Sequence, residues 1–221
     1  MPIDDYVAEL DRALAGPRGV KRDLVVEARD SLTDTADALE DGGLDRTEAE
    51  RIAVAEFGAV AEIAPRYQAE LTCASGRRLG FLLFVSVPIT VLMWSVLWRL
   101  HPAADDVWAH RPGWYLTVSR LLDVVQLAVG GYGGLVLLAL GRGARWIRRP
   151  RLLTRSLGVV VWVSLPVTIG LAQVLTHGTP GANTLGAMPS VLANAVTAAM
   201  WGMQVYCAVR CLRITRAPSS P

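Results

Sequence analysis

Residues 77–98 read RRLGFLLFVSVPITVLMWSVLW. Two arginines open the stretch, and no charge follows from Leu79 to Trp98. A helix rises about 1.5 Å per residue, so about 20 apolar residues cover the roughly 30 Å hydrocarbon layer of a bilayer. The stretch therefore predicts a membrane-spanning helix and sets the class of the chain as all-α. Pro88 interrupts the run and removes one helical hydrogen bond. A kink is expected there, with Ser86 and Thr90 hydroxyls near enough to satisfy the freed carbonyl.

Three further apolar runs follow, at about 117–140, 156–175 and 189–209. Four spans make two hairpins and a four-helix transmembrane bundle over 79–216, with 217–221 as a short tail. Arginines fix the expected orientation. Eleven fall at one set of ends (Arg77 and Arg78, six from Arg142 to Arg155, then Arg210, Arg213 and Arg216), against Arg99 and Arg111 at the other. Cytoplasmic loops carry the excess of bases, so both termini are expected in the cytoplasm, at the plasma membrane. The Arg142–Arg155 loop has the charge to meet anionic headgroups, although topology alone accounts for it.

A shift of 78 positions lays the first span on the third. Arg77, Leu79, Gly80, Val85, Ser86, Pro88 and Thr90 then meet identical residues from Arg155 to Thr168. Gln126 meets Gln204. This is a candidate internal repeat, with two hairpins of equal orientation about an axis along the membrane normal. Pro166 repeats the expectation made for Pro88. Gly130 and Gly134 have the Gly-xxx-Gly spacing that lets helices approach closely, as an intramolecular seam or as a dimer face. Arg120 and Asp123 are the charges inside a span, three apart, and are expected to neutralise each other near its outer end. His101, His110 and His177 fall in the outer loops without a metal-ligand pattern.

Residues 1–70 are of another kind, with 17 acids and 8 bases, whereas 71–221 hold 3 acids and 14 bases. Their apolar residues keep a helical period. Ile3, Tyr6, Val7, Leu10 and Leu14 form one stripe, ended by Gly16-Pro17. Val20, Leu24, Ala28, Leu32, Thr35 and Leu39 form a second, ended by Gly42-Gly43. Asp45 and Glu48 have capping-box spacing at the start of a third helix, which Gly58 ends. A short fourth segment bears Ile63, Tyr67 and Leu71 and restarts at Pro65. The expected head is a three- to four-helix bundle over 1–71, followed by a basic juxtamembrane linker at 72–78. An acidic face on the second helix (Asp23, Glu27, Asp30, Asp34 and Asp37) would repel phosphates, which argues against direct nucleic-acid binding. It offers a protein-docking surface. The N-terminus has acids where a secretion signal has bases, so the head is expected to remain where it is synthesised.

Several letters of this head occur in a characteristic order: Tyr6-Val7-x-x-Leu10, Arg22-Asp23-Leu24, Val26-Glu27, Asp41-Gly42-Gly43-Leu44, Glu48-Ala49 with Ala53 and Phe57-Gly58, and Glu62-Ile63-Ala64. Over about residues 4–70 this resembles the HAAS signalling domain, also called the permease-prefix domain. The resemblance implies a bacterial inner-membrane protein with a helical signalling head, commonly encoded beside PadR-like transcription regulators. Many members carry a histidine in the acidic second helix, where this chain has Ser31 or its neighbours.

Function follows as an expectation: a membrane-anchored regulatory protein whose head engages a protein partner, a PadR-like regulator being the one the resemblance implies. The alternative is an accessory subunit of an ABC-type transporter or another membrane complex. No catalytic triad, His-Glu-x-x-His or Walker loop is present, so no enzyme activity, cofactor or metal is expected. Cys73, Cys207 and Cys211 have neither disulfide-framework nor zinc spacing.

Overall fold

The structure, a computed structural model, describes residues 1–100, 112–141, 150–178 and 187–216. Among these, all regular structure is helical. The helices are α1 (Ile3–Ala13), α2 (Arg18–Asp41), α3 (Arg46–Phe57), α4 (Val60–Leu100), α5 (Tyr115–Gly141), α6 (Pro150–Gly178) and α7 (Ala187–Arg216). They form two compact units, Met1–Ser75 with Arg213–Pro221, and Gly76–Leu212.

In the first unit, α1 buries Ile3, Tyr6, Val7 and Leu10, and α2 buries Leu24, Ala28, Leu32 and Ala36. Each set lies at the three- and four-residue spacing that keeps side chains on one helical face. Helix α3 buries Ala49 and Ala53, whose small side chains allow close approach to the rest of the core. The start of α4 closes the core with Val60 and Leu71, joined by Ala64 and Tyr67.

Glycines and caps set the turns. Gly43, at φ 96°, ends α2, with Leu44 N–H donating to the Leu39 carbonyl and Gly43 N–H to that of Glu40. That pair of bonds is the Schellman arrangement, which satisfies two orphan carbonyls at a helix end. The Asp45 carboxylate accepts from Thr47 N–H at 3.1 Å and starts α3. Glu48 does not complete a capping box; its carboxylate is bound bidentately by Arg51 at 2.6 and 2.9 Å. The charge-assisted bond to a flexible guanidinium prevails over the reach back to the backbone. Gly58 separates α3 from α4 at φ 106°. Gln68 donates to the Ala15 carbonyl at 2.7 Å and accepts from Ala15 N–H at 2.9 Å, holding the α1–α2 joint.

One expectation is corrected by α4. It does not restart at Pro65, but runs unbroken from Val60 to Leu100, so residues 72–78 are helical. Beginning at Val60 places Pro65 in the second turn, where a single missing N–H is outweighed by the burial of Leu71 and the hydroxyl bonds of Thr72 and Ser75 to the preceding turn. The boundary between the units falls inside this helix, between Ser75 and Gly76.

In the second unit, α4, α5 and α6 are long and apolar enough to cross a membrane. Helix α7 has 30 residues and is more polar, with Asn194, Thr197, Gln204 and Arg210 along it. The unit exposes Phe81, Leu92, Leu127, Leu135, Val163 and Leu192, and buries Ser86, Thr154, Thr168, Thr197 and Gln204. Pro88 and Pro166 both lie inside unbroken helices. The hydroxyls do not take the carbonyls that these prolines free, those of Phe84 and Trp162. Thr90 and Thr168 instead donate to the Ser86 and Ser164 carbonyls, each at 2.8 Å, because a helical threonine hydroxyl reaches the carbonyl four residues back.

Candidate functional site

The acidic face of α2 comes from the same periodicity that buries its opposite side. Asp23, Glu27, Asp30, Asp34 and Asp37 are all exposed. They do not share one environment. The Arg46 guanidinium, from the start of α3, binds Asp37 and reaches Glu40 and Glu50, each at 3.1 Å. Hydrogen bonds from Asp37 first, then Glu40 and Glu50, hold that guanidinium still more firmly protonated than usual. Asp37 is thus engaged within the head. Asp23 stands 3.9 Å from its exposed neighbour Arg22, a contact of little energetic weight. Among the described residues no ion pair engages Glu27, Asp30 or Asp34, and these three form the open part of the face. Asp4–Arg29 at 2.9 Å and Asp11–Lys21 at 3.1 Å tie α1 to α2 beside it.

The glycines of α5 lie against α4. A Cβ on Gly130 would stand 3.2 Å from the Val87 Cβ, and one on Gly134 would stand 2.6 Å from the Phe84 ring. The tightest backbone approach belongs to a pair that spacing alone did not single out, Gly80 and Gly133. A Cβ on Gly80 would be 2.9 Å from the Gly133 carbonyl oxygen, and one on Gly133 would be 2.7 Å from the Leu83 Cβ. The seam is intramolecular at these residues, built by small side chains as helix contacts in lipid are. The 78-position repeat could have flagged Gly80, whose mate Gly158 meets Leu212 and the Ala208 carbonyl of α7 in the same way.

Arg120 and Asp123 are both exposed on α5, and among the described residues no ion pair joins them. With the base preceding the acid, the order is the less favourable one for a helical pair. Cross-helix polar bonds sit elsewhere. Gln204 of α7 donates to Ser86 Oγ at 2.8 Å, Trp94 Nε1 donates to Thr197 Oγ1 at 3.2 Å, and Tyr132 Oη lies 2.6 Å from Ser156 Oγ. Next to the Gln204–Ser86 bond, a cavity of about 30 Å³ opens where all four helices meet. Among the described residues no disulfide joins Cys73, Cys207 or Cys211. His177 is exposed on α6, whereas His101, His110 and the arginines from Arg142 to Arg149 lie outside the described residues.

Among the described residues the protein is thus all-helical, with a small charged bundle and a larger unit that exposes large apolar side chains and buries a few polar ones among apolar neighbours. Residues 5–66, spanning α1 to α3 and the first turns of α4, match the HAAS family and are similar to that domain. No curated protein and no solved structure matches the chain.

Proposed function

We propose that this protein is a membrane-anchored regulatory protein whose HAAS-like head docks a cytoplasmic protein. The large apolar side chains exposed along residues 76–212 carry the membrane part of the reading. Exposed Phe81, Leu92 and Leu127 surround buried Ser86, Thr168 and Gln204. This distribution is unfavourable in water and favourable in lipid, where buried hydroxyls and amides bond across helices. Helix α7 fits as a fourth span on the same ground. It is 30 residues long, turns Val191, Leu192 and Val196 outward, and buries Thr197 and Gln204. The arginine excess at one set of helix ends supports cytoplasmic termini.

For the head, the match to HAAS supports a signalling or regulatory role. The exposed carboxylates of Glu27, Asp30 and Asp34 favour a partner with a basic surface, and the resemblance favours a PadR-like regulator. Full-length protein in mild detergent should retain such a regulator. Replacing Glu27, Asp30 and Asp34 together by Gln and Asn should release it. Loss of the regulator from native and variant protein alike, with an ATPase and permease co-purifying in stoichiometric amounts, would favour the transporter-subunit reading.

A further inference from the structure

The cavity where α4 to α7 converge is lined by residues that the repeat pairs with one another. Thr90 and Thr168 face it, 78 positions apart, as do Gln126 and Gln204. Val87 and Leu165 follow the same spacing. Ser164 lines it, and the mate of Ser164 is Ser86, which accepts the Gln204 amide. Corresponding side chains from the two hairpins therefore surround one point, as they would on a pseudo-two-fold axis.

The two halves are bonded differently around that point. Gln204 closes directly onto Ser86 at 2.8 Å. Its mate Gln126 lines the cavity, and among the described residues no protein group hydrogen-bonds its amide. Thr90 and Thr168 donate their hydroxyl protons to the Ser86 and Ser164 carbonyls, so their oxygens keep lone pairs. The Ser164 hydroxyl reaches the Val161 carbonyl at 3.4 Å. The lining thus offers acceptors, donors from the Gln126 amide and the Trp201 indole, and no charged side chain.

We infer that this cavity is a binding site for a small uncharged hydrogen-bonding molecule, namely water. About 30 Å³ is room for about one or two water molecules, and the polar groups in the lining favour occupancy where a wholly apolar one would stay dry. A metal cation is disfavoured, because no carboxylate is present to offset the cost of removing it from water. The bound water bridges Gln126 to Ser164 and completes, by a longer link, the clasp that Gln204 and Ser86 make directly.

The test uses the full chain in detergent, labelled with ¹⁵N at glutamine, of which there are four: Gln68, Gln126, Gln173 and Gln204. At mildly acidic pH, where side-chain amide exchange is slow, the Gln126 amide should show direct cross-relaxation with long-lived water. Contacts of that amide with protein or detergent protons alone would overturn the inference. A second measurement replaces Gln126 by Leu. A hydrated site predicts a melting temperature lower by about 2–4 °C, since Ser164 and Thr168 lose their polar neighbour. A dry packing gap predicts an unchanged or higher one, which would also overturn it. Neither outcome depends on the head binding a partner, so this inference and the proposed docking stand or fall separately.

Discussion

At the scale of single residues, Tyr6 joins three parts of the head. Its ring meets Phe57 edge-on at 5.8 Å, and its hydroxyl donates to the Gly58 carbonyl at 2.9 Å. Tyr6→Phe keeps the packing and removes one bond, at a cost of about 1 kcal/mol. Amide exchange of the full chain should report it as reduced protection in α1 and at the end of α3. Burial raises the Tyr6 and Tyr67 phenols above the ordinary 10.0. Both are neutral in folded and unfolded chains below that value, so their contribution is then intact. Above it the unfolded phenols ionise first, and the head loses stability as pH rises. Ultraviolet titration of phenolate should show late-ionising tyrosines, one fewer in Tyr6→Phe. In the second unit, Gly133→Ala forces a methyl against Leu83 and should cost about 1–3 kcal/mol in detergent melts. Gly131→Ala meets nothing within 4 Å and should be neutral or slightly stabilising.

At the scale of elements, α1 to α3 are legible in sequence because apolar periodicity and turn chemistry agree. Leu24, Ala28 and Leu32 mark the buried face, Gly42-Gly43 the stop and Asp45 the next start. Gly58 adopts φ 106° and ψ 165°, a region that residues with a Cβ strongly avoid. Gly58→Ala should therefore destabilise the α3–α4 junction by about 1–3 kcal/mol, seen as faster amide exchange on both sides of it. The continuity of α4 is not legible. Pro65 signals a restart when weighed alone, and the packing that offsets a missing N–H is spread over distant residues. The polar core is half legible. The repeat pairs Gln126 with Gln204 and Ser86 with Ser164, yet only helix packing brings Gln126, Ser164 and Gln204 to one cavity and closes Gln204 directly onto Ser86.

At the scale of the whole molecule, the proposed arrangement divides the chain between two media by charge and polarity. Accessibility tags at both ends, tested in intact and permeabilised cells, should be reached only after permeabilisation. A tag reached from outside would reverse the proposed topology. The head must also hold its shape across long sequence separations, and one stitch does so economically. Gln68 supplies both partners to the backbone of Ala15, in the way one β-strand meets another. Position 15 lends only its peptide group, so it can drift to almost any residue except proline, which lacks the N–H. Position 68 has no such freedom. Even glutamate, the nearest in shape, keeps the acceptor but forfeits the donor. Variation among descendants of this chain should accordingly be broad at the loop and narrow at the helix that grips it.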